Sequence, residues 1–132
     1  MSALATVEGK CEQLVIGGED LTSICKGVIL NTAYKSGRTG FLFVATNKAI
    51  VTFSGVDSPA VGDEASSRLD GIILSRLSQD KPNPVGIPAR GACLYGNPYR
   101  GPARITCTAE TDQGPFRASF LSDGKPPRVD KF

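Results

Sequence analysis

A chain of 132 residues is long enough for one domain with its own core, and its 15 glycines and 9 prolines among short β-type runs point to an all-β fold rather than to helices. It has no histidine, the commonest acid–base group, so every Ser–His and Cys–His catalytic arrangement is excluded. The net charge of +2, spread over singly placed arginines rather than a basic stripe, gives no footprint for nucleic acid, and no apolar run of about 20 residues offers a membrane span.

Residues 4–16 alternate. Val7, Cys11 and Val15 fall on one face, and Thr6, Glu8, Lys10 and Glu12 on the other, the pattern of a half-buried strand. After Gly17-Gly18-Glu19-Asp20 the chain returns with Leu21, Cys25 and Ile29 on the matching face. That places Gly18 at the midpoint of a hairpin and Ile16 opposite Asp20. Val28–Leu30, Phe41–Ala45 and Ala49–Phe53 are short apolar runs rich in β-branched and aromatic residues. Lys35-Ser36-Gly37-Arg38 and Thr46-Asn47-Lys48 separate them, so the stretch reads as a meander.

Residues 54–67 are acidic and broken by glycine and proline, and read as a loop with a short helical turn capped by Asp63. Arg68–Leu77 fits either one strand bulged at Gly71 or a hairpin folded at Asp70-Gly71. Residues 79–88 hold three prolines and read as loop or edge. In Ala103–Ala109 the inward set is Ala103, Ile105, Cys107 and Ala109. A turn over residues 112–115 leads to a last inward face of Phe116, Ala118 and Phe120. Residues 122–132 are polar and proline-rich and read as a frayed tail. Together these elements predict a single all-β domain over residues 1–132, an antiparallel sandwich or barrel of about eight strands.

The four cysteines carry the strongest spacing signal. Cys11 to Cys25 and Cys93 to Cys107 are each 14 positions apart, and each pair brackets a turn-rich centre. Residues directly opposed in antiparallel strands have Cα atoms about 4.5–5.5 Å apart, within reach of a disulfide. The matched spacing therefore favours Cys11–Cys25 and Cys93–Cys107, two hairpin disulfides stapling the fold. Free buried thiols are the main rival. Zinc is disfavoured by the missing histidines and the missing close cysteine pair. Disulfides persist in oxidising compartments, so the chain reads as periplasmic or secreted. The N-terminus MSALATVEGK has no basic or apolar leader region, which makes this the reading of a chain whose signal sequence has been removed.

No cofactor motif is present: G-x-x-x-x-G-K-[ST] and G-x-G-x-x-G are both absent. S-x-x-K occurs at Ser78–Lys81 and Ser122–Lys125, but each lysine precedes a proline, which opposes the helix that chemistry needs. Asp57, Asp63 and Glu64 lack the calcium-loop sequence, so no metal is assigned. The acidic pairs Glu19-Asp20 and Asp63-Glu64 are explained by turn chemistry. What remains is recognition. All three tyrosines lie at two predicted tips, Tyr34-Lys35-Ser36-Gly37-Arg38 and Tyr95 with Asn97-Pro98-Tyr99-Arg100. Tyrosine and arginine are enriched at binding hot spots. The candidate binding residues are therefore Tyr34, Lys35, Ser36, Arg38, Tyr95, Tyr99 and Arg100. The expected function is a non-enzymatic module that binds a protein partner, with an inhibitor inserting one of these loops as one version. The alternative is a small-ligand carrier with a phenylalanine-lined barrel cavity.

Overall fold

The computed structural model describes residues 1–61, 64–77 and 84–132. Its strands are β1 (Ala3–Ile16), β2 (Glu19–Asp20), β3 (Val28–Ala33), β4 (Arg38–Ala45), β5 (Ala49–Val61), β6 (Glu64–Arg76), β7 (Val85–Tyr95), β8 (Arg104–Thr111), β9 (Gly114–Ser122) and β10 (Arg128–Lys131). Thr22–Ile24 and Pro98–Arg100 form single 3-10 turns. Eight strands, β1-β3-β4-β5-β6-β7-β8-β9, pair antiparallel in that order, and β9 pairs back onto β1 to close a barrel. Closure leaves those eight strands without a long open edge. Of the two architectures the sequence allows, the barrel is the one formed.

Local chemistry explains where the chain reverses. Gly17 and Gly18 both take positive φ, 59° and 85°, as a two-residue turn matched to strand twist requires. Ile16 consequently pairs with Glu19, and Val15 with Asp20, one residue tighter than the symmetric hairpin predicts. The 3-10 turn Thr22–Ile24 absorbs the difference. Beyond it β1 and β3 pair from Glu8↔Val28 to Ala3↔Ala33. Extending that register puts Cys11 opposite Cys25.

Both disulfides form as the spacing predicts, Cys11–Cys25 with Cα atoms 5.9 Å apart and Cys93–Cys107 with Cα atoms 4.0 Å apart. They differ in setting. Cys93 and Cys107 are directly paired between β7 and β8. Cys11 pairs in the ladder with Phe120 of β9, while Cys25 lies outside the strands and bridges to Ala45.

Further sequence expectations are corrected. Residues 54–67 are not a loop: β5 continues to Val61 and β6 starts at Glu64. Asp63, the expected cap, and Ser78–Lys81 with most of the proline-rich stretch, lie outside the described residues. Of the two readings of Arg68–Leu77, the bulged strand is the one formed, running to Arg76, with the bulge at Asp70 rather than Gly71. Opposite β5 the register steps from Ser54↔Gly71 to Gly55↔Leu69, and opposite β7 it steps from Gly71↔Pro88 to Leu69↔Gly91. Pro88 sits in a strand beside that bulge, one of the places a sheet accepts proline. The tail is not frayed throughout. Arg128–Lys131 pairs with Thr6–Ala3 of β1, although its side chains stay exposed.

The inward faces fill the barrel. Phe43, Phe53, Phe116, Phe120, Leu14, Ile16, Ile29, Ile72 and Val51 are fully buried, and Phe43 meets Phe53 edge-on with ring centroids 5.7 Å apart. An eight-stranded barrel is just wide enough for side chains to fill, and here Phe43, Phe53, Phe116 and Phe120 are among those that fill it.

Candidate functional site

In an antiparallel meander, every second connection falls at the same end. The β3–β4 turn and the β7–β8 loop therefore share one mouth of the barrel, as do the start of β1 and β10. Both predicted tyrosine tips thus lie at one end of the molecule.

That mouth holds a cavity of about 180 Å³. Its walls are mostly apolar: Val7, Phe41, Ile105 and Pro127, with Tyr95 and Tyr99. Asn31 is its polar member. On β1 and β3 its wall includes a small and a polar residue, Ala5 and Asn31.

Tyr95 ends β7 and turns into the mouth. Its ring packs on Phe41 with centroids 4.9 Å apart and planes at 60°. Its hydroxyl donates to Asp57 Oδ1 at 2.8 Å. Burial, and then the Asp57 carboxylate that accepts its proton, hold the Tyr95 phenol far above the usual tyrosine range. Tyr99 is 59 % exposed and sits in a capped turn. Asn97 caps the 3-10 turn, its Oδ1 accepting from the Tyr99 N–H at 2.9 Å. Tyr99 is thus presented on preformed backbone, which lowers the entropy cost of gripping a partner.

The other expected binding residues do not line this cavity. Tyr34, Lys35 and Ser36 are exposed on the β3–β4 turn. Arg38 lies on the outer wall, where its two terminal nitrogens clasp Asp70, Nη2 to Oδ1 at 2.7 Å and Nη1 to Oδ2 at 3.1 Å. The bulge pushes Asp70 outward to meet it. Arg100 is exposed on the β7–β8 loop. The residues that sequence reasoning missed are Asn31, Phe41, Ile105 and Pro127. Asn31 had a signal: it continues the inward alternation from Ile29, where an apolar residue is the rule.

Ser122 of the second S-x-x-K is buried at the end of β9 and accepts from the Ala103 N–H at 2.8 Å. The segment to Lys125 is not helical. Asp57 is engaged by Tyr95, and among the described residues no group of three His, Cys, Asp or Glu side chains is placed to hold a metal. No described helix is long and apolar enough to cross a membrane. Larger hollows among the described residues, of about 650, 400 and 310 Å³, are open grooves beside Gly9 and Lys26, beside Arg90 and Glu110, and beside Asp70 and Pro88. Comparison of the chain with protein-family models, with curated proteins and with solved structures found no match.

Proposed function

We propose that the protein is an exported, non-enzymatic binding module that seizes a protein partner at the tyrosine-lined mouth of its barrel. The observation that carries this reading is the cavity of about 180 Å³ bounded by Tyr95 and Tyr99. A drug-sized ligand needs roughly 300 Å³ or more, whereas a space of about 150 Å³ already accepts a single benzene ring. The mouth is therefore suited to one side chain of something larger, with Tyr99 in its wall and Tyr34 exposed on the β3–β4 turn at the same end for further contact. The phenylalanine-filled interior supports this over a small-ligand carrier. Two disulfides suit an oxidising compartment, periplasmic or extracellular.

The test is selection of a displayed random-peptide library on the immobilised, disulfide-intact chain. The reading expects enriched peptides that lose at least about tenfold in affinity for Tyr99→Ala, a hot-spot-sized effect. Tyr99 is exposed, so its removal leaves the barrel intact. Peptides that bind Tyr99→Ala and Tyr34→Ala as well as the native chain, or no enrichment at all, overturn it.

A further inference from the structure

The hydrogen-bonding state of Asn31 specifies what the mouth accepts. Its Nδ2 donates to Gly40 O at 2.9 Å and to Thr39 Oγ1 at 3.0 Å. A backbone carbonyl can only accept, so the amide nitrogen must face Gly40 and the side chain cannot be flipped. The Thr39 hydroxyl spends its own proton on Thr32 O at 3.0 Å, so it too can only accept from Asn31. Both amide protons are therefore committed away from the cavity. Oδ1 has no partner among the described residues, while the Asn31 side chain lines the cavity. Tyr95, across the mouth, directs its O–H at Asp57 Oδ1. The cavity thus offers aromatic and apolar walls with a fixed acceptor and no spare proton from either Asn31 or Tyr95.

From this geometry we infer that the mouth takes a tryptophan side chain of the partner, its indole N–H donating to Asn31 Oδ1 and its ring lying among Phe41, Tyr95 and Tyr99. The inference rests on the mouth being the binding site proposed above. Tryptophan is the side chain whose polar inventory is one donor and no acceptor. A tyrosine or serine hydroxyl also donates to Oδ1, but it brings lone pairs for which neither Asn31 nor Tyr95 supplies a donor. Lysine and arginine bring three and five donors to one fixed acceptor and must shed their hydration. Phenylalanine matches the walls and leaves Oδ1 dry and unpaired, which is costly. The volume of about 180 Å³ suits a single ring system.

The experiment is a ¹⁵N-resolved NMR titration of the full, disulfide-intact chain with N-acetyltryptophanamide, its 1-methylindole analogue, and the corresponding phenylalanine, tyrosine and lysine amides. The inference expects the tryptophan amide to shift the resonances of Asn31, Phe41, Tyr95 and Tyr99. It expects indole methylation to weaken binding about tenfold, the loss of one buried hydrogen bond. Asn31→Leu should abolish that discrimination, and the same spectra report whether the variant folds. If it does not, Tyr99→Ala, which spares the fold, must still weaken the tryptophan amide more than the lysine amide. Equal binding of the methylated or phenylalanine compound overturns the indole assignment and leaves the mouth as a binding site. Stronger binding of the lysine or tyrosine amide overturns it in the same way. No shift with any amide also overturns it, and the peptide selection then decides separately whether the mouth binds at all.

Discussion

The hydroxyl of Tyr95 on β7 donates to Asp57 Oδ1 on β5 at 2.8 Å, bridging two strands that are separated by β6. Tyr95 is thereby held by its ring on Phe41 and by its tip on a carboxylate, and it forms the fixed wall of the mouth.

Tyr95→Phe keeps the ring contact and loses the tether. It should destabilise the fold by about 1 kcal/mol, the net value of one hydrogen bond, measured by urea unfolding. The native bond also predicts an alkaline limit. Burial and Asp57 raise the folded pKa above the unfolded one, so the associated stability is fully present below about pH 10, the ordinary tyrosine value, and falls as pH rises beyond it. Tyr95→Phe should flatten that alkaline decline. An unchanged decline in the variant would assign it elsewhere.

A second prediction concerns a face that sequence reading assigned the wrong way round. Strict alternation from Val7 and Cys11 puts Val15 inside. The register on β9 slips between Cys11 and Gln13, and that extra residue turns Leu14 and Ile16 inward instead, with 0 % and 1 % exposure. A one-residue slip reverses every later side chain. Leu14→Ala should therefore cost about 2–5 kcal/mol as a core cavity, and Val15→Ala well under half of that. Comparable losses in the two variants would contradict the bulge.

At the seam that closes the barrel, Arg104 of β8 reaches over β9 to Glu12 of β1, Nε to Oε1 at 2.8 Å and Nη2 to Oε2 at 3.1 Å. Arg104's hydrogen bond, chiefly, holds the Glu12 carboxyl below the usual carboxylate range, with a smaller contribution from Ser119. A lowered folded pKa stabilises the protein above the unfolded value of about 4.3, and that stability is lost as pH falls below it. Arg104 is more than half exposed, so the effect is small, as for other surface pairs. Glu12→Gln should lower stability slightly at neutral pH and leave it unchanged once the native carboxylate is protonated. Stability curves of the two proteins that stay parallel down to acid pH would rule the clasp out.

How much was readable beforehand follows from the range of each interaction. Alternation over Ala103–Ala109 and Phe116–Phe120 depends on neighbours two residues apart, and those inward residues are buried as read. The cysteine pairing depends on one local register, which held even though the glycine turn tightened. Extension of β5 and β6 through an acidic, proline-containing stretch depends on β4 and β7, strands distant in sequence, so tertiary pairing overrode a correct local turn signal. The mouth is the least legible part. It collects Asn31, Ile105 and Pro127 from three separate segments, and no linear spacing links them. Two of the three tyrosines, Tyr95 and Tyr99, line that cavity, while Arg38 is drawn off to a bulge residue whose outward position only the folded ladder creates.

The two disulfides should differ in their response to reductant. Each closes a loop of the same length, 14 in sequence separation, so chain entropy alone assigns both about 3 kcal/mol. Their access differs. Cys93 and Cys107 are both 0 % exposed and are locked face to face in the β7–β8 ladder, with Ser67 and Ala118 paired on their outer sides. Cys25 is only half-buried and follows a short 3-10 turn with no strand partner beyond one bridge to Ala45. Thiol–disulfide exchange requires the attacking thiolate to reach a sulfur, and local opening at a chain connection is far easier than opening a central ladder. Mild dithiothreitol at neutral pH should therefore release Cys11 and Cys25 first, with Cys93–Cys107 yielding only under conditions that unfold the whole barrel. Alkylation of the native protein over time, followed by peptide mass mapping, gives the order. Labelling of Cys93 and Cys107 ahead of Cys11 and Cys25 would show that the β7–β8 ladder, not the β1–β3 connection, is the part that opens.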